Sequence, residues 1–202
     1  EHPEAVGREQ MLLLVPGSRQ SELRDNLPEM LAATAAYSQL GWRVVIAGAP
    51  GLTAADYAPH LCKYSDTPIL FGDTYGLMRR AHAALVTSGT ATLEAGLWGI
   101  PMVVCYRMGG RRIARLAFER LFRVPYFSLV NLILDRPAVP ELLADRAHSV
   151  QILSILSRLI PEEDHRRTDQ LQALAQLQEL MGTEPSAPRA ARAILSYLHE
   201  AR

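Results

Sequence analysis

Three short stretches of this chain carry side chains suited to holding a phosphorylated ligand. The first is Pro16-Gly17-Ser18-Arg19, followed by Gln20-Ser21-Glu22. Glycine lets a backbone approach a ligand closely, and N–H groups at a helix start suit a phosphate. Ser18 adds a hydroxyl, and the planar fork of Arg19 can grip phosphate oxygens twice. An ordinary strand-to-helix turn with a surface arginine fits the same letters, and the G-K-[ST] ending of a Walker A loop is missing. The second stretch is Thr87-Ser88-Gly89-Thr90-Ala91-Thr92-Leu93-Glu94. Ser88, Thr90 and Thr92 supply hydroxyls, and Gly89 permits close approach. Glu94 has two readings. It can complete a capping box with backbone groups at Thr90 or Ala91, or it can accept both hydroxyls of a ribose, because a carboxylate matches a vicinal diol. The third is Ser128-Leu129-Val130-Asn131, with Val139-Pro140-Glu141-Leu142 beyond it. Asn131 can donate and accept across the same cleft, or serve as a turn residue.

Positioning these loops requires a scaffold, and the apolar patterning predicts one. Met11–Val15, Arg43–Ala47, Ile69–Phe71, Ala83–Val86 and Met102–Cys105 are short apolar runs without polar alternation. Strands of that kind are buried on both faces, as in parallel sheets. Between them, Asn26–Leu40, a short segment capped by Thr53 and running to about Leu61, Tyr75–His82 and Thr90–Trp98 read as helices. Alternating strands and helices predict an α/β fold, a Rossmann-like doubly wound parallel sheet. In such a sheet ligands bind beyond the carboxyl ends of the strands, where the first two stretches fall. From about 135 the pattern changes: Val139–Leu143, Val150–Leu159, Glu162–Met181 and Pro188–His199 predict a mostly helical region over 139–202. The 202 residues are expected to form one nucleotide-binding unit.

Composition excludes several classes. Apolar residues make up 49% of the chain, which excludes general disorder. Lys+Arg and Asp+Glu are both 21, so there is no basic excess with which to coat nucleic acid. The two cysteines, Cys62 and Cys105, form neither a CxxC nor a metal-like cluster. No metal or cofactor is expected. The histidines are scattered, with no HExxH spacing, so none is assigned to catalysis. Between Ala83 and Tyr106 the only charge is Glu94, but Gly89, Gly99 and Pro101 break that window into strand, turn, helix, turn and strand rather than a membrane span. The chain begins at Glu1 rather than Met, which suggests a piece of something longer.

The segment 107–123 holds six arginines and one acid, Glu119, for a local charge of +5. Apolar residues lie among the arginines. An interfacial helix would place Arg111, Arg112, Arg115, Phe118 and Phe122 against anionic lipid. A helix packed by its apolar side with a solvated arginine face fits equally.

Taken in order, PGSR-x-x-E, then TSGTATLEAxLxxxPMVVxY, then SLxN followed by VPELL closely resembles the lipid-A-disaccharide synthase family, from about Leu12 onward. The phrases Asp25–Met30, Val45–Gly51 and Ser128–Ile133 look most like its Bacteroidetes branch. The resemblance implies a hexosyltransferase of the GT-B type, in which two Rossmann-like domains face each other, and this chain matches the C-terminal one. The family joins 2,3-diacylglucosamine from a UDP donor to 2,3-diacylglucosamine 1-phosphate, with inversion and without metal. It implies a cytoplasmic enzyme, peripheral on the inner membrane, and a possible homodimer. Carried onto this chain, Gly17, Ser18 and Arg19 meet the pyrophosphate, with Glu22 beside them. Ser88, Gly89 and Thr90 line the cleft, Glu94 takes the ribose and Asn131 closes the UDP site. No catalytic base is carried over, since the family's candidate lies in the other domain, and the chain alone is expected to be inactive. Val130 stands where proline is common, and Ala144 where glutamine is usual, which leaves any donor contact by that glutamine in doubt. A different GT-B enzyme, such as a UDP-N-acetylglucosamine epimerase or a murein-precursor transferase, and a non-catalytic nucleotide-binding module remain as alternatives. PGSR and SGTATLE fit the first family better.

Overall fold

A computed structural model describes residues 8–107, 125–182 and 186–200. The central strand β1 (Met11–Val15) shows why the sheet forms. Leu12 and Leu14 face one hydrophobic cluster while Met11 and Leu13 face the other, and all four are buried. Each fully buried side chain of this kind stabilises by about 1.5–3 kcal/mol, so a strand apolar on both faces is held from both sides. Around it stand β2 (Arg43–Gly48), β3 (Ile69–Phe71), β4 (Ala83–Thr87), β5 (Met102–Tyr106) and β6 (Glu141–Leu143). Their order is β3-β2-β1-β4-β5-β6, and every pairing is parallel. This is the doubly wound α/β arrangement, with its topological switch between β1 and β4.

Helices cover both faces. One face carries α1 (Gln20–Gln39), α2 (Ala54–Tyr57) and α6 (Ser149–Leu159), through Leu27, Tyr57 and Leu156 among others. The other carries α3 (Thr74–Arg80), α4 (Thr90–Leu97), α5 (Leu129–Leu134) and α7 (His165–Met181), through Leu77, Ala95, Val130 and Leu174. A last helix, α8 (Ser186–Glu200), gives no described side chain to either cluster, and its Ile194, Leu195, Tyr197 and Leu198 are exposed.

Two expectations change. The first helix begins at Gln20 rather than Asn26, because Glu22 folds back onto the backbone at its start. Val139–Leu143, expected to be helical, instead leads into β6, paired with β5 through Cys105 and Leu142. Asn131 fixes that strand's entry by binding both backbone groups of Val139, at 2.8 Å each. The arginine-rich stretch, with Arg111, Arg112, Arg115, Phe118 and Phe122, lies outside the described residues.

Candidate functional site

The crevice at the carboxyl ends of β1 and β4 gathers the first two stretches. Because α1 and α4 lie on opposite faces of the sheet, their N-termini approach the switch point from opposite sides. Both bring the positive end of a helix dipole to it. Gly17 has φ +114° and Gly89 has φ +154°, conformations that glycine takes without strain. Ser18, Arg19, Gly89 and Thr90 are exposed. Arg19 projects its guanidinium outward, with its side chain 77% exposed, and pairs with Glu22 at 2.9 Å. Glu22 also accepts the Ser18 N–H at 2.8 Å and the Arg19 N–H at 3.2 Å.

On the α4 side, Thr92 is buried and ties its own loop, donating to the Gly89 carbonyl at 2.7 Å. Ser88 donates to the Phe127 carbonyl at 2.8 Å. That bond fastens the β4 loop to the segment that enters α5. Glu94 lies a turn along α4, half-buried, and completes no capping box there; its neighbour is the Tyr75 hydroxyl at 3.4 Å. Its carboxylate therefore remains available to a diol.

Asn131 stands apart from this group. It is buried, and its amide is committed to Val139 and to Glu141 Oε1 at 2.8 Å. It shapes the wall behind the β4 loop and presents no open polar edge to the crevice.

Other residues emerge only from the fold. Glu141 accepts from the Phe127 N–H, the Ser128 N–H, the Ser128 hydroxyl and the Asn131 amide, at 2.7–2.9 Å. It is the hub of the segment on which Ser88 leans. Its place in VPELL was the only sequence signal. Asn26 and Glu29 line one side of α1. Asn26 accepts the Arg107 N–H at 2.8 Å, and Glu29 binds the Arg107 guanidinium and the Ser149 N–H. Burial pushes the Glu29 carboxyl up, but the Ser149 N–H and the arginine outweigh it and hold it below its ordinary value. Cys105 is buried and its thiol is pushed up to about 12, which makes it a packing residue rather than a nucleophile. Among the described residues there is no group of His, Cys, Asp and Glu suited to a metal, and no helix long and apolar enough to cross a membrane.

A hollow of about 820 Å³ lies elsewhere, beside β6 between α6 and α7. Part of its polar lining is paired within the chain: Asn131 binds Glu141 and Arg136 binds Gln176.

Fold and crevice together define the class: the α/β layer arrangement of GT-B glycosyltransferases. The chain superposes on the glycosyltransferase SnogD from Streptomyces nogalater with a TM-score of 0.54 at 15% identity, covering 96% of this chain and 45% of that one. It superposes on a glycotransferase of kitacinnamycin with a TM-score of 0.53 at 13% identity, covering 93% and 43%. Those likenesses concern the fold alone. In sequence, the family model for lipid-A-disaccharide synthetase matches residues 4–195. The lipid-A-disaccharide synthase of Myxococcus xanthus is 35% identical over 195 residues, covering 95% of this chain and 50% of that protein. That of Acidobacterium capsulatum is 35% identical over 190 residues, covering 86% and 46%. The chain belongs to the lipid-A-disaccharide synthase family, and it spans about half the length of these curated relatives.

Proposed function

We propose that this chain is the donor-binding half of a glycosyltransferase that moves 2,3-diacylglucosamine from UDP to 2,3-diacylglucosamine 1-phosphate, releasing UDP and a lipid A disaccharide. One observation carries the reading: two glycine loops flank the β1/β4 switch point, with Arg19 on the α1 side and Glu94 on the α4 side. In this reading the diphosphate lies against Gly17, Ser18 and Arg19, with Ser88, Gly89 and Thr90 across from it. The ribose hydroxyls meet the Glu94 carboxylate. As the acceptor hydroxyl attacks the anomeric carbon and gives its proton to a base expected in the family's other domain, the bond to the diphosphate oxygen breaks and negative charge grows on UDP. The Arg19 guanidinium and the helix N-termini stabilise that charge. Membership of the family and the GT-B-like fold support this assignment.

The substrates carry acyl chains, so we place the enzyme on the cytoplasmic face of the inner membrane. Residues 107–123, with their +5 charge, are the proposed contact and the partner a lipid surface. Binding to anionic but not neutral vesicles in a sedimentation assay is the expected result; equal binding to both sinks the lipid contact.

The nucleotide site is tested by calorimetric titration with UDP. Arg19→Ala and Glu94→Ala should each weaken binding by about 1.5–3 kcal/mol, the worth of a charge-assisted hydrogen bond. Unchanged affinity in both variants would refute the site. UDP binding without any transfer in the assembled enzyme would favour a nucleotide-binding module.

A further inference from the structure

The Glu22 carboxylate occupies the seat that the reading above gives to the diphosphate. Its Oε2 collects two converging backbone donors, the N–H of Ser18 at 2.8 Å and of Arg19 at 3.2 Å. Its Oε1 takes the Arg19 guanidinium at 2.9 Å. A Cβ placed on Gly17 would stand 2.4 Å from the same Oε2, so only glycine lets the carboxylate settle over this backbone. Paired backbone N–H groups beside an arginine are the donor set that a phosphate oxygen takes. The loop is thus already filled by an anion from its own chain.

A second feature points to the same crevice. Thr87 closes β4, is 3% exposed, and its buried hydroxyl has no hydrogen-bond partner among the described residues. Strand alternation puts it on the α1 face with Ala83 and Leu85. On that face α1 carries Glu22, Asn26 and Glu29 along one side, and the last two bind Arg107 just past β5. Val86 pairs with Val15, and α1 packs against β4, so Thr87 lies on the side of the sheet and at the end of it where α1 begins. An unsatisfied buried hydroxyl costs stability, and a ligand oxygen that reached it would supply the missing bond.

We propose that Glu22 is an internal competitor for the diphosphate of a nucleoside-diphosphate ligand, and that its displacement uncovers Thr87 as a further ligand contact. This rests on reading the crevice as the nucleotide-sugar site. The returning carboxylate would weaken the hold on UDP after transfer, favouring product release.

Calorimetry on the 202-residue chain, with UDP and with inorganic pyrophosphate as probes, tests it. Glu22→Gln weakens the competitor without removing the side chain, and should bind both probes roughly threefold to tenfold more tightly. Thr87→Val should bind UDP more weakly while unfolding at a higher temperature, since it removes an unpaired hydroxyl at constant shape. Equal or weaker probe binding by Glu22→Gln overturns the competitor, and unchanged UDP affinity in Thr87→Val overturns the Thr87 contact. If Glu22→Gln does not fold, the side-chain carboxyl carbon resonance of Glu22 in the unaltered chain decides. It should move on saturation with UDP, and an unmoved resonance overturns the proposal. Failure of the site itself has a different signature: no UDP binding by the unaltered chain, or binding indifferent to Arg19→Ala.

Discussion

The two ends of the parallel sheet follow opposite rules. At the amino end, long polar side chains are drawn inward and fully engaged. Arg8 donates to the carbonyls of Ala81, Trp98 and Gly99 at 2.7–3.0 Å. Arg167, 5% exposed, donates to the carbonyls of His82 and Leu159. Gln170 clamps both backbone groups of Met102, and His82 donates to the Ile160 carbonyl at 2.7 Å. Burial, with repulsion from Arg167, pushes the Arg8 guanidinium below its ordinary value. At the carboxyl end, Arg19, Gly89 and Thr90 face outward, the loop donors are held by the Glu22 carboxylate, and Thr87 is unpaired among the described residues. Polar groups are bonded within the chain at the amino end, and donors are left exchangeable where a ligand is proposed. The two tasks can therefore be altered separately.

The largest effect should come from the amino end. Arg167→Leu strips one donor each from the buried carbonyls of His82 and Leu159. The expected loss is about 2–4 kcal/mol of folding stability by urea unfolding, since an unsatisfied buried group costs about 1–3 kcal/mol. UDP affinity should be untouched. A matching loss of affinity would show that the two ends are not separable.

Next in size is Gly17→Ala. A Cβ at φ +114° is strained, and it would press on the Glu22 carboxylate. About 1–3 kcal/mol of backbone strain is expected, read mainly as weaker UDP binding, because the Ser18 and Arg19 donors move. If stability falls by that amount while UDP binding stays the same, the loop is a structural turn and not part of a site.

The same contrast explains what could be read in the sequence. The strands were legible because burial on both faces leaves unbroken apolar runs such as Met11–Val15. The glycine loops were legible because close backbone approach demands particular residue types at fixed places. The amino-end network was not, because Arg8 finds its partners 73 to 91 residues away and no local spacing records them. Strand β6 was missed for a similar reason: three residues show no periodicity, and its pairing depends on β5 and on the Asn131 bracket. Asn131 and Glu141 look alike on paper, two polar residues near one cleft, yet the fold binds them to each other. That the Thr87 hydroxyl has no partner among the described residues is a fact of packing alone.

The smallest predicted effect sharpens the amino end through pH. Burial, aided by the Arg167 and Arg8 charges, lowers the His82 pKa below its ordinary 6.5 despite its bond to Ile160. The folded chain then holds this proton less readily than the unfolded chain. Stability attributable to His82 is fully present above pH 6.5 and is lost as the pH falls below it toward the folded-state pKa. Urea unfolding at pH 7 and at pH 5.5 should give a difference that shrinks in His82→Gln, which keeps a donor for the Ile160 carbonyl but cannot titrate. An undiminished difference would show that groups other than His82 carry the acid sensitivity between these two pH values. Glu29 is not one of them. Its pKa is held low by Ser149 and Arg107, so its contribution is lost only as the pH falls below the ordinary carboxylate value of 4.5. The two contributions occupy different pH windows, so one titration of stability separates the buried histidine of the amino end from the acid that ties α1 to the end of β5.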